Sequence, residues 1–174
     1  MYNITFRPLI QEDLPLLDTW LAASHVDRWW QDDQDDSLQA TYHAHLAGQD
    51  TTEIYVIQMD GHPIGIIQLW RVADAEEWAV YLDVVPDLHT AAGIDFLIGE
   101  ERLTGKGIGS GAIRDFAVFV FGRYPDIDTI VADPEQENIA SWRALEKAGF
   151  QRVWAGELPT SSGPSFLYRK DRTR

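Results

Sequence analysis

From Asn3 to Arg7 apolar and β-branched side chains alternate with polar ones, the period-2 pattern of a half-buried strand. After Glu12-Asp13 the spacing changes to Leu14, Leu17, Trp20 and Leu21, which lie on one face of a helix. His25 to Trp30 is aromatic-rich and without a period, and Gln31 to Asp36 is an acidic run that reads as an exposed loop ahead of a short helix over Ser37 to Leu46. Two further strand patterns, Glu53 to Met59 and Pro63 to Arg71, are joined by Asp60-Gly61, the dipeptide that most readily takes positive φ in a tight hairpin. Trp78 to Val84 continues the meander as a third run, and Gly93 to Ile98 adds a short buried strand.

Beyond Ile98 the pattern is different. Glycines at 105, 107, 109 and 111 form a turn, and Ile113, Phe116, Ala117, Val120 and Phe121 then recur at helical spacing. Thr129 to Ala132 reads as the next strand and Asn138 to Lys147 as the next helix, with Gly149 where a helix C-terminal glycine belongs. Two strands close the chain, around Phe150 to Ala155 and Ser165 to Arg169. The expectation is an α+β protein, antiparallel in its first half and strand–glycine turn–helix in its second. With no internal repeat and no linker, residues 1–174 read as a single domain.

Composition narrows the function. At 45% hydrophobic and 11% aromatic residues the chain folds rather than staying disordered. The absence of cysteine excludes a disulfide framework, thiolate metal sites and a sulfur nucleophile. No stretch approaches the ~20 apolar residues that span a bilayer, and polar residues follow Met1 at once, so the expectation is a cytoplasmic protein with no membrane partner. A net charge of −14, from 28 acids against 14 bases, argues against nucleic acid and favours a cationic partner, with solubility as the plain alternative. The five histidines, His25, His43, His45, His62 and His89, lack the spacing of a metal site, and no Gly-x-Ser-x-Gly elbow is present, so neither a metal nor a serine hydrolase is expected.

The segment that carries chemistry is Thr104-Gly105-Lys106-Gly107-Ile108-Gly109-Ser110. Glycines between a strand and a helix let the backbone approach a ligand, and the first helical amides point outward unpaired, a natural pyrophosphate cradle. Neither the Rossmann spacing nor the Walker A pattern is met, and a glycine-rich connection that binds nothing is the competing reading. About thirty residues on comes Asn138-Ile139-Ala140-Ser141-Trp142-Arg143-Ala144-Leu145-Glu146-Lys147-Ala148-Gly149-Phe150. The two segments together resemble the GNAT superfamily of N-acetyltransferases, and within it the aminoglycoside 6'-N-acetyltransferases. That likeness runs through Phe6-Arg7-Pro8, the Trp29-Trp30 pair, Gly61-His62-Pro63-Ile64-Gly65, Gly93-Ile94-Asp95 and Asp133-Pro134. The siderophore acetyltransferases are similar too, but typically carry histidine where this chain has Asp95.

The resemblance implies a GNAT-type mixed, mostly antiparallel sheet flanked by helices and splayed open at the acetyl-CoA site. The diphosphate of acetyl-CoA would sit on the turn from Gly105 through Lys106, Gly107, Ile108 and Gly109 to Ser110, with Phe96, Leu97 and Ile98 pairing with the pantetheine arm and Asn138 approaching from the later helix. Thr104 stands where the family usually has Arg or Gln. Asp95 interrupts an apolar strand, where a carboxylate costs free energy unless partnered, and is the candidate base, with capping of a local turn as the alternative. The resemblance places Asp133 against the substrate's ammonium groups, with helix capping as its rival. Asp83, Glu76 and Glu77 would add to an acidic cleft or simply be solvated. Trp29 and Trp30 would wall the substrate site by stacking on a sugar or cation, or else serve as core. Leu145 occupies the family's usual tyrosine, so the proton for the departing thiolate would come from Tyr168, Tyr81 or water.

The implied function is acetyl-CoA-dependent acetylation of a cationic small-molecule amine, first the 6'-amine of aminoglycosides, by a monomer or homodimer. A siderophore hydroxylamine, a polyamine or a protein N-terminus are alternative acceptors, and a non-catalytic acyl-CoA-binding module is the alternative from another class.

Overall fold

The computed structural model describes residues 2–30, 38–75, 81, 85, 87–157 and 163–173. Strands are β1 (Ile4–Pro8), β2 (Glu53–Met59), β3 (His62–Arg71), β4 (Ala91–Ile98), β5 (Thr129–Ala132), β6 (Gln151–Gly156) and β7 (Ser165–Asp171). Helices among the described residues are α1 (Leu14–Leu21), α2 (Ser24–Asp27), α3 (Leu38–Leu46), α4 (Ile108–Arg123) and α5 (Ile139–Lys147). The strands form one mixed sheet in the order β1-β2-β3-β4-β5-β7-β6. The pairs β1/β2, β5/β7 and β6/β7 are antiparallel, whereas β4/β5 is parallel. That parallel ladder consists of Ala91↔Thr129, Ala92↔Ile130 and Gly93↔Val131 only, so the rest of β4, Ile94–Ile98, continues past the end of its pairing with β5.

The chain divides into two compact units, residues 1–68 with 96–106, and residues 69–95 with 107–174. In the first unit the helical stripe Leu14, Leu17, Trp20 and Leu21 is buried as its spacing predicts, against Tyr42, Ile54, Val56, Ile66 and Leu97. Pro15 opens α1 in its first turn, where a missing N–H costs nothing. Asp60 (φ 52°) and Gly61 (φ 81°) turn the β2–β3 hairpin in the left-handed region that a two-residue hairpin demands. Gly65 is required for close approach: a Cβ there would lie 2.1 Å from the Leu97 carbonyl oxygen. Arg7 grips Asp13 with two 2.6 Å hydrogen bonds, tying β1 to the turn before α1.

In the second unit Val72, Tyr81, Val85, Leu88, Ala91, Val131 and Leu167 form one buried cluster. Helix α4 buries Ile113, Phe116, Ala117 and Val120 of the stripe read from the sequence, together with Ile108 and Ala112, while Phe121 is half-buried. Its carbonyl end is closed by Arg172, whose guanidinium donates to the carbonyls of Phe121 (2.5 Å), Tyr124 (2.6 Å) and Ile127 (2.7 Å) and lies over the Phe121 ring. The third strand expected at Trp78 to Val84 falls mostly outside the described residues. Tyr81, the one residue of that run that is described, is helical rather than extended, its carbonyl accepting from Val85 N at 2.8 Å.

Candidate active site

Three titratable side chains meet in the second unit. Asp95 comes from β4, two residues past the last β4/β5 pair. Asp133 follows the last residue of β5. Tyr81 donates its hydroxyl hydrogen to Asp133 Oδ2 at 2.7 Å. The two carboxylates are unlike in their surroundings. Asp133 accepts from Tyr81, and hydrogen bonding from the phenol and its own backbone partly offsets the burial that raises it to about 6. Asp95 accepts no hydrogen bond among the described residues; burial first, and the Asp133 charge second, hold it up to about 7. Solvent reaches the Asp95 side chain, yet protein surrounds it as densely as an interior group.

The turn ahead of α4 has the geometry a diphosphate needs. Gly105 (φ 69°) and Gly107 (φ 79°) are both left-handed, and a Cβ at Gly105 would meet nothing within 4 Å, so the backbone is open to a ligand there. Gly107 caps α4 with no side-chain hydrogen bond, which leaves the positive end of a 16-residue helix free to take an anion. Ser110 Oγ donates to the Gly107 carbonyl at 2.9 Å and Thr104 Oγ1 to the Glu101 carbonyl at 2.8 Å. Both hydroxyls thus shape the turn, and the anion-facing donors are backbone amides with Lys106 exposed beside them. The residues present fit a coenzyme A diphosphate.

Other expected site residues are placed as follows. Ile108 is buried under α4 and serves as core. In β4, Leu97 is buried and Phe96 half-buried, and the Ile98 carbonyl accepts from His25 Nε2 at 3.0 Å, so that oxygen is already engaged. His25 was not singled out for this contact, and nothing in a lone histidine 73 residues away signals it. Asn138 caps α5 by accepting from Ser141 N at 3.2 Å. Trp30 packs against the core of the first unit and donates to the Tyr42 hydroxyl at 3.0 Å, while the Trp29 ring already carries the Arg28 guanidinium at 4.5 Å. Tyr168 is wholly buried, with its hydroxyl donating to Glu146 Oε1 at 2.9 Å; burial and Glu146 push its phenol up to about 12. The structure commits that proton to Glu146 and does not bring it to the carboxylate pair. Leu145, at the family's tyrosine position, is fully buried. Asp83, Glu76 and Glu77 lie outside the described residues. Among the described residues no group of His, Asp or Glu is placed to hold a metal, and no helix is long and apolar enough to cross a membrane.

Known proteins resemble this chain in sequence and in fold. Residues 9–158 match the family described as "Acetyltransferase (GNAT) domain". The aminoglycoside N(6')-acetyltransferases type 1 of Klebsiella pneumoniae and Serratia marcescens are each 28% identical over 167 residues, covering 94% of this chain and 80% of the relative. The N-hydroxyputrescine acetyltransferase of Acinetobacter baumannii is 25% identical over 81% of the chain and 67% of its own length. The crystal structure of aminoglycoside acetyltransferase AAC(6')-Ib with coenzyme A and kanamycin superposes with a TM-score of 0.82 at 28% identity, covering 98% of this chain and 95% of that one. The same enzyme with ribostamycin and coenzyme A gives 0.83 at 27% identity, with 98% and 94% covered. With 150 contiguous positions matched from Leu9 onward and the open mixed sheet of the AAC(6')-Ib structures, this chain belongs to the GNAT acetyltransferase family.

Proposed function

We propose that the protein transfers acetyl from acetyl-CoA to an amine of a polycationic small molecule, the 6'-amine of aminoglycosides before others. The observation that carries the reading is the pair Asp95 and Asp133, one carboxylate without a hydrogen-bond donor and one held by Tyr81, in the strand–turn–helix unit that fits coenzyme A. An amine is protonated at neutral pH and has to lose a proton before it is a nucleophile. When bound, acetyl-CoA supplies the thioester carbonyl. Asp95 takes the proton from the ammonium, with an affinity near the working pH that makes it effective both at accepting and at releasing that proton. Asp133 holds a second positive charge of the acceptor through the carboxylate oxygen that Tyr81 leaves free. The new N–C bond replaces the C–S bond, the nitrogen's second proton passes to water, and water returns a proton to the thiolate, since Tyr168 is committed to Glu146. Each carboxylate ~4 Å from an ammonium contributes about 4 kcal/mol at an effective dielectric of 20 before desolvation is subtracted, enough for micromolar recognition.

The similarity to an N-hydroxyputrescine acetyltransferase supports a second acceptor class, a cationic hydroxylamine. Release of free coenzyme A, measured with kanamycin, with an analogue bearing a hydroxyl in place of the 6'-amine, and with N-hydroxyputrescine, decides between them. Turnover with kanamycin alone is the expected result. Turnover of the 6'-hydroxyl analogue at the same rate, or of the hydroxylamine only, overturns the aminoglycoside assignment.

A further inference from the structure

The carboxylate pair is asymmetric, and the source of the asymmetry is a side chain that touches neither the acceptor nor the cofactor in the mechanism above. Tyr81 is 3% exposed and packed among Val72, Val85, Leu88, Ala91, Val131 and Leu167, so its ring is held by residues of β4, β5 and β7. The Trp154 ring of β6 meets it edge to face, with centroids 5.8 Å apart and planes at 89°. A phenol fixed this way has one direction in which to point, and at 2.7 Å from Asp133 Oδ2 it makes the short contact of a hydroxyl donating to a carboxylate. Among the described residues, Asp133 from the end of β5 and Asp95 from β4 are charged groups that act on it, while Trp154 from β6 offers a ring edge. Burial and both carboxylates hold the phenol's own proton far above its ordinary range, so Tyr81 is a donor at every working pH.

We propose that Tyr81 is a positioning residue that, by donating to Asp133 Oδ2, keeps Asp133 the standing anion of the pair and leaves Asp95 as the carboxylate that takes up the acceptor's proton. Where one carboxylate's charge raises the other, the two release their protons as a pair, and without a tie-breaker either could hold the shared one. The hydrogen bond favours the ionised form of the group that accepts it. Tyr81 donates to Asp133 Oδ2 at 2.7 Å, so the first proton leaves Asp133. Burial first, and the negative charge of Asp133 second, then raise the proton affinity of Asp95 toward the value a base needs at neutral pH. Recognition and proton transfer are thereby divided between two chemically identical side chains by a third that is buried behind them.

The inference rests on the roles given to Asp95 and Asp133 under Proposed function, and its test has a readout that needs no turnover. Carboxyl carbon NMR of the intact protein against pH is expected to show Asp133 titrating below Asp95. Tyr81→Phe keeps the ring and removes the donor, and the Asp133 midpoint should rise by about one pH unit, the scale of one charge-assisted hydrogen bond. In turnover the same variant should show a roughly threefold higher KM for the amine at pH 6.5, with kcat at pH 8.5 changed by no more than about twofold. In an Asp133→Asn background Tyr81→Phe should add nothing. If Tyr81→Phe does not fold, 2,3-difluorotyrosine placed at 81, a stronger donor of nearly the same shape, should move the Asp133 midpoint down. An Asp133 midpoint that stays put in whichever variant folds overturns the proposal, as does a uniform loss of kcat and KM quality at all pH values. Absence of amine-dependent coenzyme A release by the wild type refutes the proposed function instead, and leaves the NMR comparison standing as the test of Tyr81.

Discussion

Asp95→Asn keeps the shape of the side chain and removes its charge, and two measurements on that variant are expected to move in opposite directions. Burial and the neighbouring Asp133 charge hold Asp95 at about 7, so about one tenth of it is ionised at pH 6 and about nine tenths at pH 8. Wild-type kcat/KM for the amine should therefore climb roughly tenfold over that interval, while the variant loses the rise and falls by at least ~100-fold at pH 8, the low end of what a positioned base contributes. Stability should go the other way. The folded-state pKa is raised, so between about 4, where an unfolded aspartate titrates, and about 7 the folded protein holds a proton that the unfolded chain has released. Wild-type stability consequently declines with rising pH through that window and levels off above it. Asparagine does not titrate, so the variant should melt with the wild type at pH 4 and above it at pH 8. Thermal unfolding followed by fluorescence at the two pH values, beside coenzyme A release on the same samples, reads both. A melting difference that is negative at pH 8, or a wild-type kcat/KM flat from pH 6 to 8, would refute the argument that Asp95 is a strained, titrating base.

Gly65→Ala places a Cβ 2.1 Å from the Leu97 carbonyl oxygen, a backbone atom that no side-chain rotation can relieve. Overpacking of this kind costs ~1–3 kcal/mol, and melting should drop by roughly 3–10 °C for a chain of this size. Gly107→Ala puts a side chain on a residue at φ 79°, a conformation costing about 1–2 kcal/mol for other residues. Because this glycine caps α4, KM for acetyl-CoA is expected to rise about tenfold, with kcat at saturating cofactor little changed. Asp13→Asn tests the Arg7 pair: the hydrogen bonds from Arg7 hold the Asp13 carboxyl below its usual range. Its contribution is accordingly present above about pH 4 and lost as pH falls through the lowered folded value. Urea unfolding should show the variant less stable by about 1–2 kcal/mol at pH 7 and equal to the wild type near pH 2.

Strands and long helices were legible because each has a period. The β2–β3 turn is legible because Asp60 and Gly61 are the pair that tolerates φ of 52° and 81°, and β3 begins at His62, one residue before the expected Pro63. The short helix α2 is not legible: it is one turn long, and a single turn contains no repeat to detect. Tyr81 was read as part of a strand and is helical, for the same reason. Within the site, Asp95 and the glycine turn stood out because a charge in an apolar strand and clustered glycines are unusual locally. Partnerships across the fold were invisible. Tyr168 finds Glu146 rather than an open site because the β5/β7 register, with Ala132 opposite Tyr168, directs that ring at α5, and no pattern within β7 encodes a register. The Tyr81 bond to Asp133 spans 52 residues and depends on where two separate chain segments dock.

The guanidinium of Arg172 gives α4 an electrical lopsidedness. A helix of 16 residues ordinarily shows water a partial positive pole and a partial negative one of equal size. Here the negative pole is blanketed by a full positive charge bonded to the carbonyls of Phe121, Tyr124 and Ile127, while the opposite pole, beginning at Gly107, stays bare. Seen from the solvent the rod is monopolar. In a molecule of net charge −14, that bare pole is a spot of positive potential on a chain whose charge is otherwise mostly negative.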